Sequence, residues 1–356
     1  MSDILPPIGI YNSVKEWIQA NPESFSQGVI FKEIYQATSF SRQIKYPPIR
    51  YPFKLESGSV GVIPGGRVCG LNGAILTPDN HLIWDVSLEF VHPRSNHSIF
   101  KEKELPPISQ HVEKAVDLTH IVGGNYYHWM YETLPRVHLL RQSGIEADLF
   151  IVKPEPYVIP FQLETLNELG ITADQLIKTH STFHIEAENL IVPSQPSFAT
   201  KWAFDFLRRT FLKDSSATPP YDQKRIYITR RWSRKILNED HLMEVLTQYG
   251  FIKIELETLS VAEQAKLFST AEAIVAAHGA GLVNLTFCQP DTKVVEIFPP
   301  TYITSLYWAI SSFGNLNYRS FIGLKDPEKS PHGWNGFDNI TINIPKFTAF
   351  LRNIKL

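Results

Sequence analysis

Residues 273–284 read AIVAAHGAGLVN, and this stretch decides how the C-terminal half of the chain is interpreted. Its first five residues, Ala273–Ala277, are all apolar, which is typical of a strand in the middle of a parallel sheet. His278 and a turn of small residues follow, and Leu282 opens an apolar segment that predicts a helix. This order predicts a phosphate-binding turn, because the first N–H groups of a helix lack partners and carry the positive end of the helix dipole.

Strand and helix signals alternate on both sides of this turn. Strands are predicted at 225–229, 251–254 and 293–297, and helices at 238–249 and 260–269. The second helix opens on a capping box, in which Ser260 and Glu263 satisfy each other's backbone N–H groups. Repeated strand–helix–strand units imply right-handed crossovers, and so they predict a Rossmann-like C-terminal domain.

The N-terminal half also alternates between strands and helices. It contains a predicted hairpin (74–77 with 81–84), a helix over 126–140 that restarts at Pro135 and ends at Gly144, a strand at 148–152, a helix at 161–169 closed by Gly170, and a strand at 189–192. This pattern predicts an α/β fold. The polar, proline-ended segment 213–220 is the best linker candidate. We therefore predict two domains, 1–215 and 216–356, and leave open that the last residues pack back on the first.

Composition excludes several classes of protein. The 356 residues include 34 Lys+Arg and 36 Asp+Glu, a net charge of −2, which argues against a nucleic-acid partner. Cys69 and Cys288 are too few for a disulfide framework, and no zinc-type spacing occurs. The sequence shows neither a secretory signal pattern nor an apolar run long enough to span a bilayer. We therefore expect a cytoplasmic protein and leave open a peripheral contact with the inner membrane.

The candidate phosphate-binding residues share a position at the carboxyl ends of the predicted strands, where ligands of open α/β sheets bind. They are Arg230, Arg231, His278, Gly279, Ala280 and Gly281. The glycines allow close approach, His278 can donate to a phosphate oxygen, and the arginines can bind phosphate bidentately. Glu296 ends the next strand, where a carboxylate suits ribose hydroxyls. A plain glycine turn, a solvated basic turn and a capping or surface acid are the alternatives.

Two neighbouring basic residues, Arg234 and Lys235, are expected to be ordinary surface charges.

His128 and Glu132 lie four residues apart, on one face of the predicted helix. Either side chain can act as a general base toward a hydroxyl group. A core histidine bonded to a glutamate is the alternative, and a metal site lacks an obvious third ligand. The chain has no Asp-x-Asp motif, which commonly holds a divalent ion against a nucleoside diphosphate. We therefore expect no metal and no other cofactor.

Three ordered segments resemble glycosyltransferase family 61, the DUF563 group. They are VAAHGAGLVNLTFCQPDTKVVEIFP (275–299), NYYHWMYETLPRVHLL (125–140) and RIYITRRWSRKILNED (225–240). The resemblance extends over about residues 58–318. It implies a GT-B architecture, in which two Rossmann-like domains face each other across a cleft, and inverting transfer from a nucleotide sugar that the C-terminal domain holds.

The resemblance also implies roles for particular residues. The donor phosphate turn corresponds to His278, Gly279, Ala280, Gly281 and Asn284. The diphosphate contacts correspond to Arg230 and Arg231, and the nucleoside contact corresponds to Glu296. The helix facing the cleft carries His128, Glu132 and Arg136, with Arg136 on the acceptor side. The chain looks closer to the bacterial members associated with capsular or exopolysaccharide assembly than to the eukaryotic members, which implies a glycan or glycolipid acceptor. A sugar-nucleotide epimerase or hydrolase, and a non-catalytic sugar-nucleotide-binding protein, are the alternatives.

Overall fold

The computed structural model describes residues 4–22, 30–39, 54–55, 57–154, 160–196, 198–213, 224–326 and 335–356. These residues form two compact units, of which the first ends at Phe198 and the second begins at Ala199. Both units combine strands with helices, so the α/β class is confirmed. The predicted boundary between residues 215 and 216 lies outside the described residues.

The first unit contains a mixed sheet with short helices. Its strands are Gly9–Tyr11 (β1), Ile30–Tyr35 (β2), Thr38–Ser39 (β3), Lys54–Leu55 (β4), Gly58–Cys69 (β5), Ala74–Leu76 (β6), His81–Ile83 (β7), Gln110–Asp117 (β8), Phe150–Val152 (β9), Leu176–Lys178 (β10) and His184–Pro193 (β11). The main sheet has the order β1-β7-β6-β5-β11-β8-β9-β10, β2 also pairs with β5, and β3 and β4 pair with each other. The helices are Val14–Ala20 (α1), Tyr126–His128 (α2), Leu134–Ser143 (α3) and Pro160–Glu168 (α4), with short 3₁₀ turns at Trp84–Val86, Arg94–Asn96, Ser98–Lys101 and Ala173–Gln175.

This sheet differs from the all-parallel sheet of a Rossmann-like domain. The long strand β5 pairs antiparallel with β2, β6 and β11, and only β11, β8, β9 and β10 form a continuous parallel part. The predicted hairpin is confirmed as β6 and β7, and Asn80 in its turn adopts the left-handed conformation at φ 57°. The short connections from β5 to β6 and from β6 to β7 make these neighbours antiparallel, whereas β5 pairs with β2 and β11 across long stretches of the chain.

The helix predicted over 126–140 is present but is not uniform. A π-helical segment, Trp129–Thr133, joins α2 to α3, and all five of its residues are buried. Pro135 lies in the first turn of α3, where its missing N–H costs no hydrogen bond, and Gly144 ends α3 in the left-handed conformation. Such π segments frequently occur at functional sites.

A buried ion pair fastens α3 to the sheet. Arg136 is fully buried and donates to Asp117 Oδ2 at 2.6 Å, to the Thr119 carbonyl at 2.9 Å and to the Pro193 carbonyl at 3.1 Å. The other oxygen of Asp117 accepts from the backbone and hydroxyl of Thr119. Because both charges are paired and their remaining polar atoms are bonded, the cost of burying them is offset.

The second unit is a parallel sheet flanked by helices. Its strands are Arg225–Ile228 (β12), Ile252–Ile254 (β13), Ala273–Ala277 (β14), Lys293–Phe298 (β15) and Asn317–Ile322 (β16), with a separate pair Leu324–Lys325 (β17) and Ile340–Thr341 (β18). The helices are Lys201–Phe211 (α5), Glu239–Gln248 (α6), Val261–Thr270 (α7), Leu306–Phe313 (α8) and Ile344–Asn353 (α9), with 3₁₀ turns at Leu256–Thr258, Ala280–Phe287 and Asn335–Phe337.

The strand order of the second unit places its binding crevice. The order is β13-β12-β14-β15-β16, and all neighbours are parallel. The chain runs from β12 outward to β13 and then returns past β12 to β14, so the direction of winding reverses between β12 and β14. Ligands of doubly wound sheets bind at the carboxyl ends of the strands on either side of such a reversal.

The strands and helices that the sequence predicted in this unit are present as β12–β15, α6 and α7, whereas α5, α8, α9 and β16 were not predicted. All five residues of β14 are buried, and the Ser260–Glu263 capping box is present. Asn238 precedes α6 as predicted but does not cap it, because its amide bonds both backbone groups of Ile342. The C-terminal helix α9 packs in the core of this same unit. No helix in the described part of the chain is both long and apolar enough to cross a membrane.

We predict that replacing Arg136 with methionine destabilises the protein by about 3–5 kcal/mol, because Asp117 would remain buried and unpaired. Thermal or urea unfolding followed by circular dichroism measures the change. Arg209→Met, at an exposed position, is the control and should leave stability within about 0.5 kcal/mol of wild type. Equal stability of the two variants would show that the ion pair does not hold α3.

Candidate active site

The crevice between β12 and β14 brings Arg230 onto the backbone of Gly279. A Cβ atom added to Gly279 would lie 1.4 Å from Arg230 Nη1, so the guanidinium occupies the space that any side chain would need. Arg230 Nε donates to the Ser233 carbonyl at 2.7 Å, which fixes the direction of the group. The two predicted segments, Arg230 and the glycine turn, therefore meet at the carboxyl ends of their strands.

Arg230 lines this crevice, and the charge of Arg234 acts on it from nearby. Among the described residues, neither Arg230 nor Arg234 forms an ion pair with a carboxylate. Burial and the charge of Arg234 lower the pKa of Arg230 to about 10. Burial also lowers the pKa of Arg234, which lies over the rings of Tyr302 and Phe337 and donates to the Gly336 carbonyl. Two half-buried cations without a carboxylate favour binding of an anion.

Backbone donors face the same crevice. The N–H groups of Gly279, Ala280 and Gly281 make no hydrogen bond to the described part of the chain, as expected at the start of the 3₁₀ helix Ala280–Phe287. Glycines 279 and 281 also line the crevice together with Arg230. The predicted combination of arginine and free N–H groups is therefore present.

The buried carboxylate of Glu296 fixes the orientation of the His278 ring. Its Nδ1 lies 2.5 Å from Glu296 Oε1, and the Tyr318 hydroxyl donates to the other oxygen of Glu296 at 2.6 Å. The ring stacks on Phe298. Burial lowers the pKa of His278, so the neutral ring donates its Nδ1 proton to Glu296 and keeps a lone pair on Nε2. In this state the ring cannot donate to a phosphate, and its role is to position the turn.

The fully buried Glu296 has both oxygens engaged by His278 and Tyr318. It therefore offers no oxygen to a ribose, in contrast to the sequence-based expectation.

Two other predicted phosphate contacts have different partners in the structure. Asn284 is fully buried and donates to Gln264 Oε1 at 2.7 Å, so it links the glycine-turn helix to α7. Arg231 is half exposed and forms an ion pair with Glu255. Asn284 therefore stabilises the glycine-turn helix from within the core. Arg231 can reach an anion only in competition with Glu255.

A second constellation lies in the first unit. Glu132 Oε2 lies 2.8 Å from His120 Nε2 and 2.7 Å from His128 Nδ1. Burial opposes ionisation of Glu132, but the hydrogen bonds from the two histidines outweigh it and lower the pKa of the carboxyl. Glu132 is therefore a carboxylate at neutral pH. His128 is 32% exposed, so it can reach solvent while Glu132 holds its inner nitrogen.

The three side chains also have the spacing of a metal site, since one ligand atom from each lies within 4.8 Å of the others. His120 is the third candidate ligand that the sequence analysis did not identify. Its Nδ1 accepts from the Val122 N–H at 3.1 Å, and its Nε2 lies within hydrogen-bonding distance of both Glu132 Oε2 and the Gln195 amide nitrogen. The three side chains form a hydrogen-bonded cluster whose spacing would also suit a metal ion.

The predicted acceptor-side residue Arg136 does not reach a surface. Its side chain is fully buried and its guanidinium is bonded to Asp117 and two carbonyl groups. It acts in the core beneath Glu132 and does not offer a group to a ligand.

Sequence reasoning missed three residues of these sites. His120 and Gln195 come from loops outside the helix that carries Glu132. The amide of Gln195 lies 2.8 Å from His120 Nε2. Arg234 was predicted to be a surface charge, and this was wrong, because Tyr302 and Phe337 cover it. Lys235 is exposed as predicted. The dense run of basic residues after β12 was the available signal for Arg234.

Part of the chain is similar to a known protein family. Residues 126–295 match the family model of glycosyltransferase 61. The matched segment begins just before His128 and ends just before Glu296, so it contains the glycine turn, Arg230 and the helix of Glu132.

Several similar proteins are named as glycosyltransferases. Protein O-linked-mannose beta-1,4-N-acetylglucosaminyltransferase 2 of Canis lupus familiaris is 36% identical over 168 residues, which is 44% of this chain and 29% of that protein. Beta-1,2-xylosyltransferase RCN11 of Oryza sativa subsp. japonica is 36% identical over 62 residues, 17% of this chain and 12% of that protein. The chain thus covers less than a third of these eukaryotic relatives. The family match and the relatives together show that residues 126–295 are similar to glycosyltransferases of family 61.

Proposed function

We propose that this chain is an inverting glycosyltransferase, which transfers a sugar from a nucleotide-sugar donor to a glycan or glycolipid acceptor. One observation carries the proposal: two half-buried arginines without a carboxylate partner converge with free backbone N–H groups where the winding of the second sheet reverses. This site lies inside the segment that matches family 61. A nucleotide sugar supplies the diphosphate that such a site is suited to bind.

The second unit would bind the donor. Arg230 and Arg234 neutralise the diphosphate, and the N–H groups of Gly279, Ala280 and Gly281 donate to its oxygens. During transfer, the bond between the sugar carbon and the phosphate oxygen breaks, and negative charge develops on the nucleoside diphosphate. Fixed donors stabilise this charge most as it grows, which lowers the barrier.

The first unit would supply the base. His128 Nδ1 donates to Glu132, so its Nε2 lone pair can accept the proton of the acceptor hydroxyl as that oxygen attacks the sugar. Glu132 then stabilises the imidazolium, a role that suits its lowered pKa. His278 has a similar carboxylate partner, but only 5% of its side chain is exposed, against 32% for His128. Access to a hydroxyl group therefore favours His128.

The proposal extends to the architecture, the metal requirement, the sugar and the cellular role. The GT-B architecture is proposed from the resemblance alone, and the mixed sheet of the first unit departs from the Rossmann-like sheet that this architecture implies. The metal-independent donor site is proposed because Arg230 and Arg234 would supply the positive charge of a divalent ion. The relatives differ in the sugar that their names give, so the family leaves the sugar open. We further propose assembly of a surface polysaccharide on the cytoplasmic side, with a peripheral contact to the membrane.

We predict that Arg230→Ala and Gly279→Ala each weaken nucleoside diphosphate binding by about 10- to 100-fold, as expected for one lost charged hydrogen-bonding group. In Gly279→Ala the new methyl group displaces the guanidinium, which is the far end of a flexible side chain, so stability should change little. Calorimetry with UDP, GDP, ADP and CDP identifies the tightest ligand and measures its affinity in each variant.

Arg231→Ala is the matched control, because its neighbour Glu255 already holds this arginine. It should bind close to wild-type affinity. Wild-type affinity in Arg230→Ala and Gly279→Ala would overturn the donor site.

We also predict that His128→Ala slows sugar transfer by about 10²- to 10⁴-fold and leaves diphosphate affinity unchanged, because the general base is lost and the donor site is not. Glu132→Gln should lower kcat less, since it retains a hydrogen-bond partner but not the charge. Release of nucleoside diphosphate with and without acceptor measures transfer. His111→Ala, at an exposed histidine, is the control. Full kcat in His128→Ala would remove this residue as base, and equal release without acceptor would indicate a hydrolase.

Chelation provides an independent check of the donor site. Turnover should persist in excess EDTA, since Arg230 and Arg234 supply the charge that a divalent ion would otherwise provide. Activity that disappears with EDTA and returns with Mg²⁺ or Mn²⁺ would contradict the metal-independent mechanism.

A further inference from the structure

The crevice that contains Arg230 has an acidic residue on its wall. Glu257 lies in the 3₁₀ turn Leu256–Thr258, directly after β13, and lines the crevice with Arg230, Gly279 and Gly281. Its charge raises the pKa of Arg230, against the larger effect of burial, so the two groups interact electrostatically. A carboxylate therefore borders a site that otherwise favours anions.

Among the described acids that border this crevice, Glu257 has both carboxylate oxygens available to a ligand. Its side chain is exposed and makes no hydrogen bond or ion pair with the described residues. The neighbouring acids are engaged: Glu255 pairs with Arg231, Glu296 bonds His278 and Tyr318, and Glu239 accepts from Tyr227, Thr229 and Lys253.

The turn that carries Glu257 is held firmly. Gln264 donates to the carbonyl groups of Leu256 and Leu259, both at 3.0 Å, and Asn284 fixes the other end of the Gln264 amide. Leu256 packs against Gly281, where an added Cβ would lie 2.7 Å from Leu256 Cδ1. The same contacts therefore position the glycine turn and the backbone of Glu257.

A carboxylate at this position favours a ligand group that carries two neighbouring hydroxyls. A free carboxylate repels a bare diphosphate, so it weakens a site whose ligand is phosphate alone. A vicinal diol turns this repulsion into recognition, because two hydroxyl groups can donate to the two carboxylate oxygens. In doubly wound sheets, an acid at the carboxyl end of a neighbouring strand can bind ribose hydroxyls. Glu257 follows β13, the neighbour of β12, and Arg230 follows β12.

We infer that Glu257 binds the ribose hydroxyls of the donor nucleotide, taking the role that the sequence assigned to Glu296. The inference rests on the proposed function, since it assigns the sugar end of the nucleoside diphosphate whose phosphates Arg230 binds. It makes Glu257 the residue by which the site distinguishes a ribonucleotide from a deoxyribonucleotide or from pyrophosphate.

The test compares ligands as well as variants. For the nucleoside diphosphate that wild type binds most tightly, calorimetry measures the affinity of the ribonucleotide, its 2′,3′-dideoxy analogue and pyrophosphate. Wild type should prefer the ribonucleotide over the dideoxy form by about 10- to 100-fold. In Glu257→Ala this preference should fall to near unity, while pyrophosphate binds as well as before or more tightly.

Glu255→Ala is the matched control, two residues away, and should retain the preference for ribose. If Glu257→Ala keeps the full preference, the inference is wrong while the donor site stands. If pyrophosphate and the ribonucleotide weaken equally in Glu257→Ala, the residue supports the fold and does not read the ribose. If no nucleoside diphosphate binds wild type, the proposed function fails and the inference with it.

Discussion

The absence of a side chain at Gly279 is the constraint on which the candidate donor site depends. The guanidinium of Arg230 occupies the volume where a Cβ would otherwise be, so cation and backbone N–H groups lie together at one point. Glycine usually attracts attention for its backbone freedom, but here the backbone is extended, with φ at 173°, and any residue could adopt it. What excludes other residues is space.

Several buried contacts within the protein maintain this geometry. Glu296 holds His278 at the end of β14, and Asn284 with Gln264 fixes the following helix against the turn after β13. Each is a polar group in the core with its hydrogen bonds satisfied, which rigidifies the surroundings. The site therefore does not need to pay the full cost of ordering its donors when an anion arrives.

The sequence was sufficient to predict the features that depend on the local pattern of residues. The five apolar residues Ala273–Ala277 predicted a buried strand, and the placement of Arg230 after another strand predicted that the two would meet. It was insufficient for what depends on long-range partners. Glu296 looked free because its partner Tyr318 is 22 residues away, and Arg234 looked exposed because Tyr302 and Phe337 are distant in the chain.

Dependence on long-range partners also explains what the sequence did not predict in the first unit. The spacing of His128 and Glu132 predicted their contact, but nothing local indicated that His120 would approach the same carboxylate from a loop. That second histidine changes the chemistry. A carboxylate that accepts from two imidazole groups loses basicity, so Glu132 becomes the orienting group, and the partly exposed ring of His128 becomes the group that can take a proton. The proposal of His128 as the base thus depends on His120, a residue that takes no part in the helical pattern.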